Sequence, residues 1–106
     1  MCNAYVEHMA KLNNNVLRHQ LKPLAASTDM GNVSYVVPSF HGAFSVACDN
    51  TVAMHSEPFA TAAGTHEAHE SAMKCAKGLA MLALSVLTDE SLAQQARKDF
   101  ENKEDA

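Results

Sequence analysis

Apolar residues recur at helical spacing in two long parts of the chain. In residues 3–14 they fall three to four positions apart, and a run of three asparagines ends the pattern. In residues 65–87 the same spacing continues for many turns. The members of that stripe are Ala68, Ala72, Cys75, Ala76, Leu79, Ala83 and Val86. The pattern predicts the end of a helix in residues 3–14 and a long, alanine-rich helix in residues 65–87.

A last amphipathic helix is predicted directly after the long one. The run Thr88-Asp89-Glu90 supplies an N-cap with acidic residues in the first turn, which favours a helix start. Leu92, Ala96 and Phe100 then share one face. The charged tail, residues 101–106, is expected to fray.

The segment between the helices has strand signals. Residues 33–37, Val-Ser-Tyr-Val-Val, are β-branched and aromatic and end at Pro38, which predicts a strand. A second short strand is expected over 44–48, and residues 51–54 are expected to be extended. Residues 16–26, with Pro23, form a predicted connection. The order helix, strand, strand, long helix, helix predicts the α/β class, although two or three strands alone make a poor sheet.

Composition and charge limit which classes of partner and which cellular compartment we expect for this chain. The formal net charge is −4, and the 8 lysines and arginines are dispersed, which disfavours a nucleic-acid partner. The first residues lack the pattern of a signal peptide, and the longest apolar stretch, residues 78–86, is too short to span a bilayer. The three cysteines form no pairing framework. We therefore expect a soluble cytoplasmic chain with reduced thiols and no membrane partner.

Six histidines are the first candidate ligands. Residues 66–70 read His-Glu-Ala-His-Glu, whose histidines are three apart, so the zincin spacing is absent. This stretch is either a solvated first helical turn or a histidine pair that binds metal. His55 follows a predicted strand and precedes a helix, where α/β sheets place ligands. It is either one terminal zinc ligand or a structural or merely exposed loop residue.

A polar turn precedes the first predicted strand. Ser27, Thr28 and Asp29 would present hydroxyls and a carboxylate, and Gly31 would permit positive φ and close approach of a ligand. The alternative is an ordinary Asx-type turn that leads into the strand. The chain has no G-x-S-x-G nucleophile elbow and no phosphate-binding glycine loop.

These segments together resemble one family. The run Ser-Thr-Asp-Met-Gly-Asn-Val-Ser from Ser27, the Met-His-Ser around His55 and the alanine-rich helix are similar to the zinc-dependent dipeptidases and amidohydrolases of peptidase family M-twenty. The similarity is greatest to the branch of aminobenzoyl-glutamate hydrolases and β-alanyl-lysine dipeptidases, and it covers residues 4–101. The resemblance implies the C-terminal portion of a three-layer αβα catalytic domain.

The resemblance also implies the chemistry. In the family two zinc ions activate a water for amide hydrolysis of dipeptides or N-acyl amino acids, with a glutamate as general base. His55 would match the last zinc ligand, and Ser27, Thr28, Asp29 and Gly31 would match a loop at the substrate site. The other ligands and the catalytic glutamate belong to the family's N-terminal half, and an inserted lid domain forms its homodimer.

Two interpretations follow for residues 1–106. In the first, the chain is a fragment of a zinc dipeptidase or amidohydrolase, inactive alone, with no catalytic residue and no stably bound zinc of its own. In the second, it is a truncated, non-catalytic relative that acts as an interaction module. A long apolar helix face suits both, because each needs a partner to cover it.

Overall fold

The computed structural model describes residues 1–21 and 26–102, and within them the chain is helical. The helices are α1 (Cys2–Lys11), α2 (Met30–Ser34), α3 (Glu57–Ala63), α4 (His66–Thr88) and α5 (Glu90–Glu101). The three helices predicted from apolar spacing correspond to α1, α4 and α5. Pro23 and residues 103–106 of the tail lie outside the described residues.

The predicted α/β class is wrong, because no strand occurs in the part of the chain that the structure describes. Residues 33–37 contain the end of α2 and a turn, in which the N–H groups of Val36 and Val37 donate to the carbonyl oxygen of Val33 at 3.0 and 3.1 Å. These local bonds satisfy backbone groups that a strand would pair with a neighbour. Residues 44–48 and 51–54 also lie outside any sheet. The described residues therefore do not form the predicted three-layer αβα architecture.

α4 is the central element, and α1, α3 and α5 all pack against it. The core lies between α1 and α4, where Tyr5, Met9 and Leu82 are buried together. The ring of Phe40, from the loop, lies 4.7 Å from that of Tyr5, centroid to centroid, at a tilt of 45°. Gly78 is buried at this crossing, and its missing side chain lets α1 approach α4 closely.

Two polar contacts join α1 to α4 beside this core. The hydroxyl of Tyr5 donates to Sγ of Cys75 at 3.4 Å. Burial, with this hydrogen bond as a smaller cause, raises the pKa of Tyr5 to about 12, so the phenol stays protonated and remains a donor. Nε2 of His8 lies 2.8 Å from Oγ of Ser85. Cys75 is thus a core residue, as its place in the apolar stripe predicted.

Helix starts follow the expected capping chemistry. Thr65 caps α4, since its Oγ1 accepts from the N–H of Ala68 at 3.1 Å. Asp89 caps α5, since its Oδ1 accepts from the N–H groups of Ser91 and Leu92 at 3.0 and 3.3 Å. Each capping residue directly precedes its helix. The sequence therefore predicted the first residues of α4 and α5 accurately.

Much apolar surface remains open. Several large apolar side chains are exposed, including Leu84 at 62% and Leu87 at 84% on α4. The radius of gyration is 15.5 Å, against about 13 Å for a compact chain of this length. By length and composition α4 could also cross a membrane, which is weak evidence because core helices of soluble proteins pass the same test. The helices therefore form an open layer around α4.

Candidate functional site

His55 lies in a turn immediately before α3, in an unusual backbone conformation. Its φ is 61°, in the left-handed region, which costs a non-glycine residue about 1–2 kcal/mol. The next residue, Ser56, caps α3, and its Oγ accepts from the N–H of Phe59 at 3.3 Å. The cap fixes the end of the turn, and the imidazole of His55 is exposed. The ring makes no hydrogen bond within the described residues and is open to a ligand.

A shallow surface depression surrounds this histidine. Its lining residues are Met54, His55, Ser56, Glu57, Phe59 and Ala60. Most of the lining is apolar, and Glu57 is among the residues that form it. Glu57 is also in the first turn of α3, where a negative charge favours the helix N-terminus. The depression is thus a mainly apolar surface next to His55.

The turn predicted to line a substrate pocket leads into α2 instead of a strand. Oγ1 of Thr28 accepts from the N–H of Met30 at 3.3 Å, and the carbonyl oxygen of Thr28 accepts from the N–H of Gly31 at 3.1 Å. Asp29 occupies the N-cap position, but its carboxylate makes no capping hydrogen bond. The hydroxyl of Ser27 is exposed as well. The side chains of Ser27 and Asp29 are therefore available to a ligand.

Gly31 does not use its conformational freedom. No glycine among the described residues has positive φ, and a Cβ at Gly31 would meet nothing within 4 Å. Positive φ, which Gly31 would permit, is found instead at Asn13 and His55. The turn is formed by backbone hydrogen bonds of helical type, which do not require a glycine at position 31.

The structure does not bring the turn and His55 together as one site. Within the described residues α2 packs against none of the other helices, whereas α3, next to His55, packs against α4. No three histidine, cysteine or acidic side chains in the described ranges converge in a way that could hold a metal ion. One exposed imidazole supplies a single zinc ligand, and a protein zinc site needs three or four. The described residues therefore do not fit a dinuclear zinc centre.

One histidine contact was missed by sequence reasoning. His8 and Ser85 are 77 positions apart, yet they form the 2.8 Å contact between α1 and α4. The Ser85 hydroxyl donates to the carbonyl oxygen of Met81 at 2.9 Å, so Nε2–H of His8 must be the donor to Ser85. A serine whose proton is committed to a backbone carbonyl is not held as a nucleophile.

Helical periodicity contained a signal for this pair. His8 comes three residues after the buried Tyr5, and Ser85 comes three residues after the buried Leu82. Both therefore follow the stripe that faces the other helix. Nδ1 of His8 is buried without a hydrogen-bond partner, which marks this contact as part of the packing between α1 and α4.

Comparison with known proteins identifies relatives along nearly the whole chain. The sequence is 37% identical over 105 residues to Xaa-Arg dipeptidase from Mus musculus, covering 97% of this chain and 24% of that protein. It is 37% identical over 102 residues to Xaa-Arg dipeptidase from Homo sapiens, covering 94% of this chain and 23% of that protein. No family model matches the chain, and no solved structure matches it.

The chain spans about a quarter of the length of the curated relatives it matches. The aligned part includes both the turn at residues 27–31 and His55, because it leaves at most a few residues of this chain unmatched. The chain is therefore similar in sequence to one segment of the Xaa-Arg dipeptidases.

Proposed function

We propose that this chain acts as a segment of a dipeptidase that hydrolyses dipeptides ending in arginine. The observation that carries the proposal is the 37% identity over 97% of the chain to a protein named for that activity. The open position of the His55 imidazole supports it, because a histidine with no partner of its own is free to contribute to a site.

We propose further that His55 serves as one metal ligand in the complete enzyme. A neutral imidazole is a common zinc ligand, and the left-handed backbone of His55 is the kind of local strain that collects at functional sites. The remaining ligands would come from outside the described residues. The zinc, when bound, would activate water for attack on the peptide carbonyl.

The role proposed for the turn is to bind and orient the dipeptide. Ser27 and Asp29 have exposed polar side chains, and Thr28 and Gly31 hold the turn through local hydrogen bonds. The carboxylate of Asp29 is suited to a positively charged group of the substrate, since charge-assisted hydrogen bonds are the strong ones. Such a contact requires the turn to approach His55 in the complete enzyme.

A second candidate function is a non-catalytic interaction module. The exposed Leu84 and Leu87 on α4 favour it, because a continuous apolar surface in water is typical of a face that docks on another protein. This candidate and the first differ in one respect, which is whether the chain can support peptide hydrolysis in a complete dipeptidase.

A chimeric enzyme tests the choice between these functions. The aligned part of this chain would replace the matching segment of the mouse Xaa-Arg dipeptidase. We expect the chimera to hydrolyse a dipeptide ending in arginine faster than one ending in citrulline, which has a similar shape without the charge. A chimera that folds, as judged by circular dichroism, but hydrolyses neither dipeptide would support the interaction module instead.

Asp29→Asn in the same chimera tests the turn. Because the carboxylate makes no capping hydrogen bond, its loss should leave the melting temperature unchanged. If the carboxylate binds substrate, kcat/KM should fall about tenfold or more. Normal turnover with a lower melting temperature would show that Asp29 acts only in the local turn.

A further inference from the structure

The depression beside His55 has the size and the surface of a site for part of a small ligand. Its volume is about 550 Å³, and sites for small ligands commonly measure about 300–1,000 Å³. The exposed Met54 and the half-buried Phe59 supply apolar surface to it. Water in contact with such surface is released when an apolar group covers it, which favours binding of an apolar group.

The start of α3 fixes two of the lining residues relative to His55. Oγ of Ser56 accepts from the N–H of Phe59 at 3.3 Å, and the carbonyl oxygen of Ser56 accepts from the N–H of Ala60 at 3.0 Å. Both bonds join the helix to the residue that directly follows His55. Ala60 is exposed and has only a methyl side chain, so a longer side chain at this position would fill part of the depression.

The covalent structure of a dipeptide decides which part of it would reach this surface. The scissile carbonyl belongs to the first residue, whose Cα is bonded directly to the carbonyl carbon. The first side chain therefore lies next to the reacting atoms, whereas the guanidinium of a C-terminal arginine ends a long chain that leads away from them. If hydrolysis takes place at His55, the depression that His55 helps to line is the surface next to the first side chain.

We propose that the depression lined by Met54, Phe59 and Ala60 binds an aliphatic side chain on the first residue of the dipeptide. This inference rests on the proposed dipeptidase function, with His55 at the place of hydrolysis. An aliphatic side chain gains from burial against these residues, whereas a polar side chain of similar size loses hydrogen bonds to water that the apolar lining does not replace. The depression thus selects the first residue, and the Asp29 carboxylate is left for the charged second residue.

Hydrolysis of three dipeptides by the chimeric dipeptidase tests the proposal. We expect kcat/KM to be at least about tenfold higher for leucyl-arginine than for asparaginyl-arginine, whose first side chains are similar in size. Ala60→Leu should lower kcat/KM for leucyl-arginine at least about tenfold more than for glycyl-arginine, which has no first side chain to exclude. Ala63→Leu is the matched control, because it adds the same side chain at an exposed position of α3 outside the depression. Circular dichroism would verify that both variants fold.

Three results would overturn the inference and leave the dipeptidase proposal standing. The first is equal kcat/KM for leucyl-arginine and asparaginyl-arginine. The second is an equal loss with leucyl-arginine and glycyl-arginine in Ala60→Leu, together with a lower melting temperature, which would show that another part of the enzyme covers the depression. The third is loss of the preference for arginine over citrulline in Glu57→Gln, which would assign the depression to the arginine side chain. A folded chimera that hydrolyses no dipeptide would instead overturn both proposals, so the two failures are distinguishable.

Discussion

At the residue scale, the approach of α1 to α4 depends on a single glycine. A Cβ at Gly78 would overlap Sδ of Met9 and lie 3.0 Å from Cε2 of Tyr5. Met9 is only 1% exposed, so its side chain has little room to move aside. This close fit is why a residue that weakens helices occurs in the middle of a 23-residue helix.

Gly78→Ala should therefore destabilise the chain despite the better helix propensity of alanine. Overpacking a core costs about 1–3 kcal/mol, whereas alanine gains about 1 kcal/mol over glycine in a helix, so a net loss of about 1 kcal/mol is expected. Urea unfolding measures it. Gly31→Ala is the matched control, since nothing lies within 4 Å of its Cβ position, and it should be neutral or slightly stabilising. An equal increase in the free energy of unfolding in both variants would contradict the close approach of α1 to α4 at Gly78.

Single residues also show what sequence reasoning located and what it missed. Cys75 is in the core, as its spacing predicted, and the histidines at 66 and 69 share a face. Gly31 would permit the left-handed conformation, but the residues that adopt it are Asn13 and His55. The roles proposed for Ser27, Thr28, Asp29 and His55 stay predictions.

At the element scale, local signals located helices well and strands poorly. Caps and apolar spacing act within a few residues, which is why α4 and α5 were found nearly to their ends. A strand depends on a partner elsewhere in the chain. Residues 33–37 have strand propensity, yet without a neighbouring strand in the described residues they close local helical bonds. Strand propensity alone does not show whether a neighbouring strand is present.

The cap of α5 predicts a specific acid sensitivity. Hydrogen bonds from the Ser91 hydroxyl, and then from the N–H groups of Leu92 and Ser91, hold the pKa of Asp89 below its ordinary value of 3.8. A carboxyl with a lowered pKa in the folded state contributes stability above its unfolded pKa and loses it as the pH falls through the folded pKa. The contribution of this cap should therefore be complete above about pH 4 and disappear below it.

The substitution Asp89→Asn tests whether protonation of Asp89 causes the loss of stability in acid, because it keeps a capping side chain that does not titrate. Asparagine still accepts at an N-cap, but it does not take up a proton. The variant should therefore lose less stability than the original chain between pH 5 and pH 2, as followed by urea unfolding. Asp99→Asn removes a carboxylate from the same helix without touching the cap. An identical acid profile for Asp89→Asn and the original chain would show that the cap is not titrating.

At the scale of the whole molecule, one explanation accounts for both the open layer of helices around α4 and the similarity to part of a dipeptidase. A chain that matches about a quarter of its relatives exposes large apolar side chains such as Leu87 and carries one unpartnered imidazole in a strained turn. Both features are accounted for if other residues of a dipeptidase cover the apolar face and complete the site. The central claim is that His55 belongs to that site.

The most direct test is the zinc content and turnover of the chimeric dipeptidase with His55→Gly. Glycine removes the imidazole and also relieves the positive φ, so a loss cannot be assigned to backbone strain. His41→Ala, which removes another exposed histidine, is the control. We predict that His55→Gly loses zinc and dipeptide hydrolysis with an unchanged melting temperature, while the control keeps both. Unchanged zinc content and turnover in His55→Gly would contradict the claim.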